Sequence, residues 1–145
     1  MFNFNRNGCS TSPEYALSKN HIKNTRGYCL NFHPSPPKYR GIGGYNYALY
    51  NKDDVFGVTV HHLVEKIDSG KIIKVRYFPI IEFERASSLE TRTGAYCLTL
   101  FYEIVQLIIL SRNLPLADET WGGKLYTHKQ LEKFIIRHQR KGYVT

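Results

Sequence analysis

Cysteine is scarce in this chain and poorly placed for cross-linking. Its three copies, Cys9, Cys29 and Cys97, lie far apart and form no Cys-x-x-Cys pair. That argues against a disulfide framework or a zinc site and makes a reducing cytoplasm the expected setting. Long apolar runs are missing too. The longest, residues 98–110, is interrupted by Glu103 and Gln106, and it is short of the roughly 20 residues that a membrane span requires. The opening Met-Phe-Asn-Phe-Asn-Arg-Asn lacks the apolar core of a signal peptide. No membrane association is expected, and no internal repeat points to a solenoid. Acidic residues are in deficit, 12 against 20 basic ones, for a net charge of +8. Such a balance favours anionic partners, a phosphorylated sugar or RNA among them, although a solvated basic surface explains it equally well.

What is present suits one domain with a modest core. The chain has 145 residues, 42% of them hydrophobic and 22% charged, ordinary values for a globular protein. Residues 1–10 are polar and Asn-rich and read as loop or disorder. Ser12 as N-cap with Pro13 at the first helical position predicts a short helix over 13–20. Residues 28–32 form a short apolar run suited to a buried parallel strand. Three prolines and three glycines make residues 33–44 a loop, followed by a helix over 45–51. Strands are predicted over 56–64 and 71–79, paired antiparallel across the 65–70 loop. Ser87-Ser-Leu-Glu90 fits a capping box. The helix it opens runs to about Ser111 and buries Leu89, Tyr96, Leu100, Ile104 and Ile108. Thr127-His-Lys-Gln130 is a second such box, opening a final helix to about Arg140 with Leu131, Phe134 and Ile135 on its apolar side.

One constellation carries chemistry. Side chains alternate along a strand, so Asn31 and His33 share a face, and the loop between the two later strands can return Asp68 to them. An amide, an imidazole and a carboxylate brought together can stabilise a tetrahedral oxyanion and manage protons. An Asp68 carboxylate near His33 favours the imidazolium. Each residue also has a plainer reading: His33 as a buried histidine bonded at a strand end, Asn31 as a tie for backbone groups, and Asp68-Ser-Gly70 as a simple turn.

The text around these residues is specific. Leu30-Asn-Phe-His-Pro-Ser-Pro-Pro-Lys-Tyr-Arg-Gly41 is followed by Gly57-Val-Thr-Val-His61-His-Leu-Val-Glu-Lys-Ile-Asp68-Ser-Gly70. In order, spacing and residue chemistry this resembles the folate-dependent formyltransferases, which formylate glycinamide ribonucleotide, initiator methionyl-tRNA or amino sugars from 10-formyltetrahydrofolate. The resemblance covers residues 11–79 well and the helical remainder loosely. It implies an α/β fold, the C-terminal half of a Rossmann-like formyltransferase domain, with a mixed sheet, an antiparallel hairpin and flanking helices. The expected organisation is a polar segment over 1–10, a partial catalytic domain over 11–111 and a helical extension over 112–145.

By the same resemblance Asn31, His33 and Asp68 are catalytic, and His61, Val64, Glu65, Ser69 and Gly70 border the folate. Ser35, Arg40, Gly41, Gly43 and Gly44 fall on the acceptor side. For Ser35 a hydrogen bond that shapes the turn is the better reading, since no nucleophile-elbow sequence supports covalent catalysis. The Gly-rich turn is neither a Walker loop nor a dinucleotide fingerprint. The implied reaction is formyl transfer from 10-formyltetrahydrofolate to a primary amine, with no metal. The acceptor is methionyl-tRNA-like or a small-molecule or sugar amine, tRNA being the more weakly supported. Pro36-Pro37 is one residue shorter than the purine and initiator-tRNA pattern and looks like that of less characterised or sugar-directed relatives.

Only thirty residues precede Asn31, whereas family members place several βα units there. The expectation is a truncated domain with impaired activity and self-association through an open strand edge. The rival reading is a non-catalytic remnant or partner-binding module. Trp121 before Gly-Gly could offer a stacking surface, but packing is the simpler role, and Lys129, Lys133, Arg137, Arg140 and Lys141 read as a solvated face.

Overall fold

A computed structural model describes residues 27–138. The expected helix over 13–20 and the polar segment 1–10 lie outside the described residues. In chain order the elements are β1 Leu30–His33, β2 Arg40–Gly41, α1 Gly44–Asn51, β3 Val55–His62, β4 Ile72–Pro79, α2 Ala86–Ile109, β5 Leu125–Tyr126 and α3 His128–His138. Among the described residues no helix is long and apolar enough to cross a membrane.

The β-branched and aromatic residues of β3 and β4 suit a pleated, half-buried surface, and the two pair antiparallel from Val55↔Pro79 to His61↔Ile72, with an irregularity between Val60 and His61. β3 is the central strand of the order β1-β3-β4 and is buried on both faces. Phe56, Val58 and Val60 join Leu89, Leu100 and Ile104 of α2 in the apolar core, and by alternation Thr59 and His61 face the other way. There Thr59 Oγ1 donates to the Ser35 carbonyl at 2.7 Å. A separate two-stranded sheet pairs β2 with β5 in parallel, so the parallel and antiparallel components of the mixed architecture sit in different sheets.

The strand expected to be parallel is antiparallel: β1 pairs with β3 through Leu30↔His62, Asn31↔His61, Phe32↔Val60 and His33↔Thr59. A short apolar run signals burial and carries no direction. Direction is set by the connection, and here the loop and the two turns of α1 return the chain running the opposite way. The first capping box also fails. The N-cap of α2 is Arg85, without a side-chain cap bond. Glu84 organises the start instead, accepting from the Ile81 N–H at 3.0 Å and from Arg92 Nη2 at 2.7 Å. Leu89, Leu100 and Ile104 are buried as expected, and Tyr96 stacks on Phe78 with ring centroids 4.0 Å apart, whereas Ile108 is exposed. The second box forms as predicted: Gln130 Oε1 accepts the Thr127 N–H and Thr127 Oγ1 accepts the Gln130 N–H.

The segment after α2 is stitched back onto the sheets. Ala117 N–H donates to the Ile72 carbonyl at 3.0 Å and Gly122 N–H to the Pro37 carbonyl at 2.9 Å. Tyr126 and Phe134 pack on Tyr47 with centroids at 4.2 and 4.7 Å. Gly41 is glycine for a steric reason: at φ 87° a Cβ would sit 2.1 Å from the Tyr126 carbonyl oxygen.

Candidate active site

The β1–β3 register starts the site. Asn31 and His61 are direct cross-strand partners, so their side chains emerge side by side on one face. The irregularity at Val60/His61 and the turn that follows β3 then bring Asp68 over them. Asp68 occupies the left-handed region at φ 42°, which aspartate tolerates better than most residues. Its backbone is clamped from below. Arg40 Nε donates to the Asp68 carbonyl at 2.8 Å, Nη2 to the Ile67 carbonyl at 2.9 Å and Nη1 to the Gly122 carbonyl at 3.3 Å.

Four side chains meet at this point. Asp68 Oδ2 accepts the Gly41 N–H at 2.8 Å and lies 3.4 Å from His33 Nδ1. Asp68 Oδ1 accepts from Asn31 Nδ2 at 3.4 Å and lies 3.5 Å from His61 Nε2. His33 Nε2–H donates to the Tyr39 carbonyl at 2.8 Å. His61 Nδ1–H donates to the His62 carbonyl at 2.9 Å, and Nε2 accepts from Asn31 Nδ2 at 3.0 Å. Asn31 therefore bridges His61 and Asp68 with its two amide hydrogens.

The electrostatics follow. Burial pulls the His33 pKa below its ordinary 6.5 and outweighs the opposing pull of the Asp68 charge and the Tyr39 carbonyl. The expectation that Asp68 would hold His33 as imidazolium is corrected: Asp68 acts in that direction, but the ring is almost fully enclosed and desolvation wins. Asp68 itself is pushed up by burial, yet the neighbouring His61 and His33 imidazoles and the Gly41 amide together hold it below 3.8. At neutral pH the site is an ionised carboxylate facing the unprotonated Nδ1 of His33. One further proton has a ready place between them.

The other expected positions divide. His61 is buried in the cluster. Gly70 lies against it, where a Cβ would meet the His62 carbonyl oxygen at 1.7 Å. Val64 is exposed, as is Glu65, and Ser69 Oγ donates to the Lys66 carbonyl at the surface. Arg40 is buried, and each of its three guanidinium nitrogens donates to a backbone carbonyl. Ser35 shapes the turn through its carbonyl rather than its hydroxyl; Oγ is buried without a partner against Gly44, where a Cβ would lie 2.0 Å away. Gly43, at φ 76°, opens α1 and packs against the Leu131 side chain.

Sequence reading missed one contributor and gave a second, Trp121, only a packing role. The Tyr39 carbonyl fixes the His33 tautomer, and a backbone acceptor has no signature in sequence. Trp121 covers the imidazoles, its ring at 5.8 Å from His33 and 4.8 Å from His61. Its being the sole tryptophan, set before two glycines, was the available signal.

Fold and cluster together define an α/β domain with a proton-handling amide–imidazole–carboxylate group at a strand end. The sequence model described as formyl transferase matches residues 15–103, and the chain belongs to that family. It is 30% identical over 108 residues to the methionyl-tRNA formyltransferase of Ehrlichia canis, covering 74% of this chain and 35% of that protein. It is 38% identical over 84 residues to the phosphoribosylglycinamide formyltransferase of Haemophilus influenzae, covering 57% and 38%. Among solved structures it resembles the formyltransferase PseJ from Anoxybacillus kamchatkensis, in complex with UDP-4,6-dideoxy-4-formamido-L-AltNAc and tetrahydrofolate. The TM-score is 0.68 at 25% identity, over 84% of this chain and 64% of that one. The chain thus spans little more than a third of the two curated relatives.

Proposed function

We propose that this chain carries the catalytic cluster of a formyl transfer from 10-formyltetrahydrofolate to a primary amine. The observation that carries the reading is the meeting of Asn31, His33 and Asp68, residues distant in sequence, at one buried point. The amine attacks the formyl carbon, a C–N bond forms, and the carbonyl oxygen takes the negative charge. Asn31 and His33 are the donors suited to that oxygen, once their present bonds to Asp68 and Tyr39 are exchanged for it. The proton released by the amine goes to the His33 Nδ1–Asp68 Oδ2 pair. Collapse of the intermediate breaks the bond to the folate nitrogen, which takes up a proton. No metal and no covalent enzyme intermediate takes part.

A nucleotide-linked amino sugar is the acceptor class we favour. The short Pro36-Pro37 turn and the likeness to PseJ support it, and the basic surface suits a phosphorylated acceptor. The +8 charge and the methionyl-tRNA relative support tRNA as the second candidate. The widely separated cysteines support a reducing cytoplasm as the setting of this chemistry. The test is tetrahydrofolate release from 10-formyltetrahydrofolate with a panel of amino-sugar nucleotides, glycinamide ribonucleotide and methionyl-tRNA. Transfer to one acceptor that falls about 10²–10⁴-fold in Asp68→Ala, with folate binding retained, supports the reading. Transfer to none, or turnover unchanged in Asp68→Ala, refutes it in favour of a non-catalytic, partner-binding role.

A further inference from the structure

Trp121 is bound into the cluster from a segment that contributes none of its four polar groups. Its ring stands at 85° to His61 and 63° to His33, edge against face, the arrangement aromatic rings prefer. Its Nε1–H donates to the Gly70 carbonyl at 2.7 Å, and Gly70 closes the turn that presents Asp68. The segment is held on both sides of the tryptophan. Ala117 N–H bonds to the Ile72 carbonyl, and Gly122 bonds through its N–H to Pro37 and through its carbonyl to Arg40. Gly122 lies so close to the 36–39 turn that a Cβ there would be 2.8 Å from the Lys38 carbonyl oxygen. Arg40 thereby joins the Asp68 turn and the Trp121 segment through one guanidinium.

We propose that Trp121 is a positioning residue of this site: its ring keeps water from the two imidazoles, and its N–H locks the turn that holds Asp68 against them. The assignment deepens the formyl-transfer reading and rests on it. The two roles are separable because phenylalanine keeps a ring and loses the N–H, whereas alanine loses both. The groups facing His33 are Asp68 from the turn, His61 from β3 and the Tyr39 carbonyl, with Arg40 on β2 as the cation that holds the Asp68 backbone.

The experiment is NMR on the full chain. Gly41 amide exchange reports the Asp68 carboxylate that it binds, and the ring ¹⁵N signals of His33 report its titration. In Trp121→Phe the Gly41 amide exchanges about fivefold faster, the loss of one ordinary hydrogen bond, while the His33 midpoint stays. In Trp121→Ala the His33 midpoint rises toward its ordinary value as water enters. An unchanged Gly41 rate in Trp121→Phe overturns the assignment, and so does an unchanged His33 midpoint in a folded Trp121→Ala. Should Trp121→Ala fail to fold, Trp121→Phe decides alone. Where wild type transfers formyl, Trp121→Phe lowers kcat and leaves KM close to its original value. A wild type that transfers nothing refutes the formyl-transfer reading, while the two NMR measurements still decide the role of Trp121.

Discussion

Replacing Asp68 by asparagine changes almost no volume and tests the whole arrangement. The carboxylate is 8% exposed and accepts from the Gly41 N–H and from Asn31 Nδ2. An asparagine has one acceptor end and one donor end, so in either orientation it sets an NH₂ against one of these donors. A buried donor left unpaired costs about 1–3 kcal/mol, and Asp68→Asn should be less stable by that amount at pH 7 in urea or thermal unfolding. The sign with pH follows from the depressed carboxylate. Asp68's stabilisation is present above pH 3.8 and is lost as pH falls through its lower folded value, so the gap between variant and wild type closes in strong acid. The substitution also removes the main charge raising the His33 pKa, and the His33 midpoint followed by NMR should fall further. Wild-type stability at pH 7 together with an unmoved His33 midpoint would refute the idea that an ionised Asp68 organises this site.

Two more outcomes are expected. His33 is depressed below 6.5, so the unfolded chain binds the proton more readily. His33's contribution is complete above pH 6.5 and is lost as pH falls from there toward the folded value. Melting temperature should therefore drop between pH 7 and 5 more in wild type than in His33→Gln, and parallel curves would contradict this. Gly41→Ala places a methyl on the Tyr126 carbonyl at a positive φ and should cost at least about 1–3 kcal/mol; an unchanged denaturation midpoint would contradict the β2–β5 contact.

Sequence alone determined the parts of this protein that are local or periodic. Alternation put Asn31 and His33 on one face, the Gly-Pro-rich stretch ended β1, and Leu89, Leu100 and Ile104 marked the buried stripe of α2. The motif text from Leu30 to Gly70 was enough to place the chain in its family. Tertiary structure decided what depends on distant partners. The direction of β1 came from the chain's return through α1, which an apolar run cannot encode. Glu84 replaced the Ser87 cap because Arg92 lies two turns along. Arg40 turned inward because three carbonyls from two distant loops converge on it. The charge of His33 was decided the same way: spacing gives it a carboxylate neighbour, but only the packing of Trp121, Tyr39 and β3 around the ring supplies the desolvation that overrides that neighbour.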